Sequence, residues 1–222
     1  GKDDKGGILR ARIHKEQREQ AVINFNIEKA NEVLDVLAKN NTWQIPTLTL
    51  NTAFTRRPFA AKEWQESFSY LPQIVQEQWK KNIDNFIERA VSPFNKKYSK
   101  WMFDMTKRVH DKNIKIMAGT DTPIYFLTPG RSLHEELAVL VEAGLTPLEA
   151  IKTATKNPAE YFNLENELGN IDKNYWADLV ILDANPLEDI NNTRKINAVI
   201  KQGKYFDRAH LDFLLEQLKT TK

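Results

Sequence analysis

The residue best placed to do chemistry in this sequence is an aspartate that ends an apolar run. Ile114-Lys115-Ile116-Met117-Ala118-Gly119-Thr120 leads into Asp121, and Pro123 follows two residues later. The run reads as a short buried strand, and the proline stops a helix from starting directly after it. A carboxylate at the C-terminal end of such a strand is free to reach a ligand, because the strand itself is packed with apolar side chains. The bland alternative is a turn former or helix cap. A phosphotransferase nucleophile is set aside, since that pattern needs a second carboxylate where Pro123 stands. The four histidines are His14, His110, His134 and His210, none closer than 24 residues to the next, so no compact two-histidine metal motif is present.

The elements that must position Asp121 can be read from periodicity and punctuation. Residues 1–25 form a polar, flexible lead-in passing into a helix. Ile27, Ala30, Leu34, Leu37 and Ala38 recur at helical spacing until Asn40-Asn41. Trp43 to Leu50 reads as a strand. Residues 52–112 are helical, with one apolar stripe through Val75, Trp79, Ile83 and Phe86 and a second through Tyr98, Trp101, Met102 and Val109. Their aromatic residues read as core. Arg56-Arg57-Pro58 offers contact with an anionic substrate or, more plainly, a solvated loop.

Beyond the loop to Gly130, a helix carries Leu133, Leu137, Leu140 and Val141 and closes at Gly144. Thr146-Pro147-Leu148-Glu149 is a capping box with proline at the first helical position. Asn157-Pro158-Ala159-Glu160 repeats that arrangement and predicts a second helix start. From Leu168 the period becomes extended: residues 177–183 form a strand, and Gln202-Gly203 is the turn of a hairpin. Residues 208–218 form a terminal helix. The alternation argues for an α/β, helix-rich fold.

Composition narrows the function classes. With 32 basic and 30 acidic residues, the chain has no nucleic-acid footprint. No apolar run is long enough for a membrane span. Cysteine is absent, which excludes disulfides and thiolate metal sites.

Several motifs in series resemble the C-terminal part of an amidohydrolase-superfamily enzyme, in the branch of imidazolonepropionase-like and prolidase-like hydrolases. They are Ala118-Gly119-Thr120-Asp121; Gly130 with Leu133-His134-x-Glu136-Leu137; Ala143-Gly144-Leu145-Thr146-Pro147; Ala154-Thr155-x-Asn157-Pro158-Ala159; Gly169-x-Ile171; Ala177-Asp178-Leu179-Val180; and Asn185-Pro186-Leu187. One departure is Asn174, where the family has a turn glycine; asparagine tolerates a positive φ, so the turn should survive. The resemblance implies that residues 26–165 are the last portion of a (β/α)8 (TIM) barrel, with its seventh and eighth strands near 43–50 and 114–118. Residues 166–207 would belong to a small β-domain and 208–222 to a C-terminal helix.

The resemblance also implies a divalent metal, zinc by expectation, with Asp121 as metal ligand and as the acid–base group that carries a proton from water to the leaving nitrogen. His134 has two readings, contact with substrate or packing on the helical face it shares with Ala138 and Val141. The substrate would be a small-molecule amide or peptide: a cyclic amide, an N-acyl amino acid or a dipeptide. The family's histidine pair on the first strand and its ligands on the middle strands are not found here. The chain is therefore expected to be the C-terminal portion of a hydrolase, inactive and metal-free alone, and to associate with the N-terminal half or with itself. The alternative is a non-catalytic assembly module derived from a barrel.

Overall fold

Residues 114–118 run extended and make a single parallel bridge, Gln44 to Ile116. Gln44 donates its N–H to Lys115 O and accepts from Met117 N, both at 2.9 Å. The computed structural model describes residues 12–220, with side chains from 17 to 219. Residues 1–11 of the expected lead-in, and the side chain of His14, lie outside the described residues.

The expected strand over 43–50 is thereby corrected. Among the described residues only Gln44 of this run pairs, and Leu48–Asn51 turn into a short helix. Parallel strands hold their shape through neighbours on both edges. Here a neighbour lies on one side alone, and Thr47 takes a left-handed φ of 49° that ends the extended run.

The helices are α1 (Arg12–Ile23), α2 (Ile27–Lys39), α3 (Leu48–Asn51), α4 (Ala53–Arg56), α5 (Lys62–Glu66), α6 (Gln73–Glu88), α7 (Pro93–Asp111), α8 (Arg131–Glu142), α9 (Pro147–Thr153), α10 (Lys156–Tyr161) and α11 (Arg208–Thr220). The break between α6 and α7 falls at Ser92-Pro93, where the Ser92 side chain accepts from Asn95 N. In α9 the capping box is complete, with Thr146 and Glu149 exchanging both bonds. The second predicted helix start is corrected. Asn157 lies inside α10, whose N-cap is Thr155, and its side chain donates instead to Ile116 O at 2.7 Å.

Two buried clusters result. One joins Leu48 and Ile116 to Leu137, Val139, Leu140, Leu145, Ala150 and Ile190, so α8 is the element on which both paired segments pack. The other is aromatic: Phe59, Trp64, Phe68 and Phe126, with Trp79 and Phe86 at its border.

The C-terminal strands β1 (Leu179–Leu182), β2 (Ile196–Lys201) and β3 (Lys204–Phe206) form an antiparallel meander. Gln202 and Gly203, with φ of 51° and 77°, make its hairpin turn. Asn174 adopts φ 69°, the conformation the sequence demanded of it.

Candidate active site

Gly119 brings the two segments of the rim together. A Cβ there would sit 2.5 Å from Ile45 Cγ2 and 3.8 Å from Thr47 Oγ1, so only glycine allows this approach. Two residues on, Asp121 has φ 53° and is exposed. Its carbonyl accepts from Ile124 N at 3.3 Å, closing a turn. The carboxylate neither caps that turn nor pairs with any cation among the described residues.

The loop after Asp121 is held from three sides. Thr122 Oγ1 donates to Leu127 O at 2.6 Å, Trp64 Nε1 to Phe126 O at 2.9 Å, and Ser67 and Thr128 share a bond of 2.9 Å. Tyr125 and Phe126 also have positive φ. Left-handed conformations at non-glycine residues cost energy and gather at functional sites. Of the ten such residues among the described residues, four, Thr47, Asp121, Tyr125 and Phe126, lie at the ends of the two paired segments and in their loop.

His134, on α8, is half-buried. Its Nδ1 lies 3.0 Å from Thr193 Oγ1, and that hydroxyl donates to Ile190 O at 2.8 Å. The hydroxyl proton is thus committed, so Nδ1 carries the hydrogen and Nε2 keeps its lone pair. Burial, then the charges of Arg194 and Arg131, lower the His134 pKa below its ordinary value. The bond to Thr193 is structural; Nε2 has no partner among the described residues and stays open to a donor.

Glu136 was legible in the sequence only as a motif letter. It is fully buried, and its carboxylate accepts Leu48 N at 2.8 Å and Thr49 N at 2.6 Å. Burial outweighs those bonds and pushes its pKa up to about 7. The available signal was an acid among Leu133, Leu137 and Leu140, on a stripe otherwise apolar.

The arginine pair is engaged. Arg56 bonds Glu142 at 2.5 Å and Glu135 at 3.4 Å, while Arg57 donates to the carbonyls of Ile87 and Arg89. His110 turns to Glu149, 3.1 Å away. A divalent ion in a hydrolytic site needs about three protein ligands. Among the described residues no three histidines, cysteines or acids come together to hold one. Asp121 offers a single oxygen ligand, so these residues do not by themselves fit a metal.

Residues 79–205, more than half of the chain, match the family described as "Amidohydrolase family". The chain belongs to the amidohydrolase family. Among its relatives, the ochratoxinase of Aspergillus niger is 40% identical over 98 residues, covering 42% of this chain and 19% of that protein. An adenine deaminase of Clostridium botulinum is 30% identical over 102 residues, covering 45% of this chain and 17% of the other. The structure of a Xaa-Pro dipeptidase with bound methionine superposes with a TM-score of 0.55 at 27% identity, over 79% of this chain and 37% of that one. The amidohydrolase chain thus spans about a fifth of the curated relatives it matches and 37% of the dipeptidase.

Proposed function

We propose that this chain contributes the C-terminal part of a (β/α)8 barrel, and the rim carboxylate Asp121, to a metal-dependent hydrolase of C–N bonds. The observation that carries the reading is the exposed, unpaired Asp121 at the end of a segment in parallel pairing with residue 44. On this reading the extended residues around Gln44, up to the Thr47 turn, and residues 114–118 derive from the seventh and eighth barrel strands. Residues 166–207 belong to a small β-domain, and Arg208–Thr220 to the terminal helix. Relatives named a deaminase and a dipeptidase both break a C–N bond, which supports the bond type.

A divalent ion, zinc by expectation, would polarise the scissile group and acidify water. Asp121 contributes one ligand; the others come from polypeptide outside this chain, so the chain alone is inactive. The carboxylate of Asp121 takes a proton from the attacking water and returns it to the leaving nitrogen. His134 Nε2 accepts a hydrogen bond from the substrate. The substrates are small cyclic amides, N-acyl amino acids or dipeptides.

Completion by further polypeptide is supported by an open edge. The N–H groups of Trp43 and Ile45 have no acceptor among the described residues. Beside them lies an apolar cleft of about 510 Å³ lined by Phe25, Val33, Leu37, Ile45 and Trp101. The test is metal analysis of the purified chain together with assays on N-acyl amino acids and dipeptides. Stoichiometric metal with turnover would overturn the claim that the remaining ligands lie elsewhere.

A further inference from the structure

A buried carboxylate on an otherwise apolar helix face is costly, because its charge must leave water. Glu136 occupies such a position in the cluster of Leu137, Val139 and Leu140. Its two oxygens take the first two N–H groups of α3, those of Leu48 and Thr49. Those amides follow directly on Thr47, a β-branched residue in the left-handed region, where its Cβ is crowded. A turn of this kind persists only if something outside it fixes it. Thr47 and Ile45 in turn press on the space beside Gly119, two residues before Asp121.

We propose that Glu136 is a positioning residue for the rim: by holding the Leu48 and Thr49 amides it fixes the Thr47 turn against Gly119, and so places the segment end that carries Asp121. Glu149 and Arg194, on elements packed against α8, are engaged elsewhere. Glu149 of α9 bonds Thr146 and His110, and Arg194 bonds Glu135. Glu136 therefore has the two amides as its own partners. The consequence for turnover rests on the hydrolase reading; the structural part does not.

Glu136→Gln keeps the shape of the side chain but presents an NH2 to one of the two amides, which then loses its acceptor. By amide exchange on this chain, Leu48 and Thr49 should exchange about tenfold faster or more, while the β2 amides keep wild-type rates. The nuclear Overhauser contact from the Ile45 γ-methyl group to Gly119 should weaken together with that change. Adding Thr47→Gly, which removes the left-handed penalty, should restore the Ile45–Gly119 contact in the Glu136→Gln background. Uniform acceleration that includes β2, an unchanged Gly119 contact, or failure of the glycine to restore it would each overturn the proposal. None of these readouts involves turnover. A catalytically silent Asp121 would remove the hydrolase reading and leave this result standing.

Discussion

Asn157 donates its side-chain amide to the backbone carbonyl of Ile116 at 2.7 Å, from inside α10 to the edge of the extended segment opposite Gln44. Ala118 N on that same edge donates to Thr153 O at 3.0 Å. The edge away from Gln44 is therefore closed by the α9–α10 corner rather than by another strand.

Replacing Asn157 by alanine strands the Ile116 carbonyl in a partly buried place. The expected loss is about 1–2 kcal/mol of unfolding free energy by denaturant titration. Asn157→Asp should cost more, since a carboxylate would face a carbonyl oxygen. Equal stability of all three proteins would show that the bond holds nothing.

The capping box of α9 makes a pH prediction. The backbone N–H and hydroxyl of Thr146, and after them His110, hold the Glu149 carboxyl down at about 2. A depressed carboxyl stabilises the fold above its ordinary range, and that contribution drains away as pH falls toward 2. Thr146→Ala should cost about 1 kcal/mol at neutral pH. Glu149→Gln should flatten the acid limb of the stability curve between about pH 4.5 and 2. An unaltered limb would assign acid sensitivity to other carboxylates.

What could be read in advance was local. The capping box, the Gln202-Gly203 turn and the positive φ of Asn174 each depend on a few consecutive residues, and each stands as the sequence implied. The extended run at 43–50 failed because a strand depends on distant neighbours, and beyond Gln44 it has none. Asn157 carried the letters of a cap, yet its partner lies 41 residues away. Glu136 was the costliest omission for the site: its amide partners are 88 and 87 residues distant, beyond any periodicity argument. Asp121 was legible as a carboxylate ending an apolar run, whereas its left-handed backbone and the lack of an ion-pair partner among the described residues needed coordinates.

Glu136 gives a pH dependence of the opposite sign to Glu149. Its folded-state pKa is raised, to about 7, so the folded form holds the proton more tightly than the unfolded chain. Stability is then fully present below the ordinary carboxyl value and is lost as pH rises through about 7, by up to ~3 kcal/mol. Unfolding curves between pH 5 and 8 should slope downward in the wild type and level off in Glu136→Gln. Parallel slopes would mean that the buried carboxyl does not titrate in that window.

Gly119→Ala tests the approach of the two rim segments. The added methyl group would meet Ile45 Cγ2 at 2.5 Å, and a β-branched side chain has few rotamers into which it can yield. A loss of about 1–3 kcal/mol is expected. Ile45→Ala should recover most of it, giving a coupling energy in a double-mutant cycle. Additive single effects would place the strain somewhere other than this contact.

Asp121→Asn separates the chemical role of the rim aspartate from a structural one. Asparagine is nearly isosteric and tolerates the same left-handed backbone, and the native carboxylate has no ion pair among the described residues to lose. Stability of this chain should therefore change by less than about 0.5 kcal/mol. In the hydrolase assembled with its remaining polypeptide, the same substitution removes the group that carries the proton and one charged ligand. Turnover of dipeptides or N-acyl amino acids should fall by at least about 100-fold. A destabilised chain with normal turnover would reverse the assignment, leaving Asp121 as a turn residue and the proton transfer to another group.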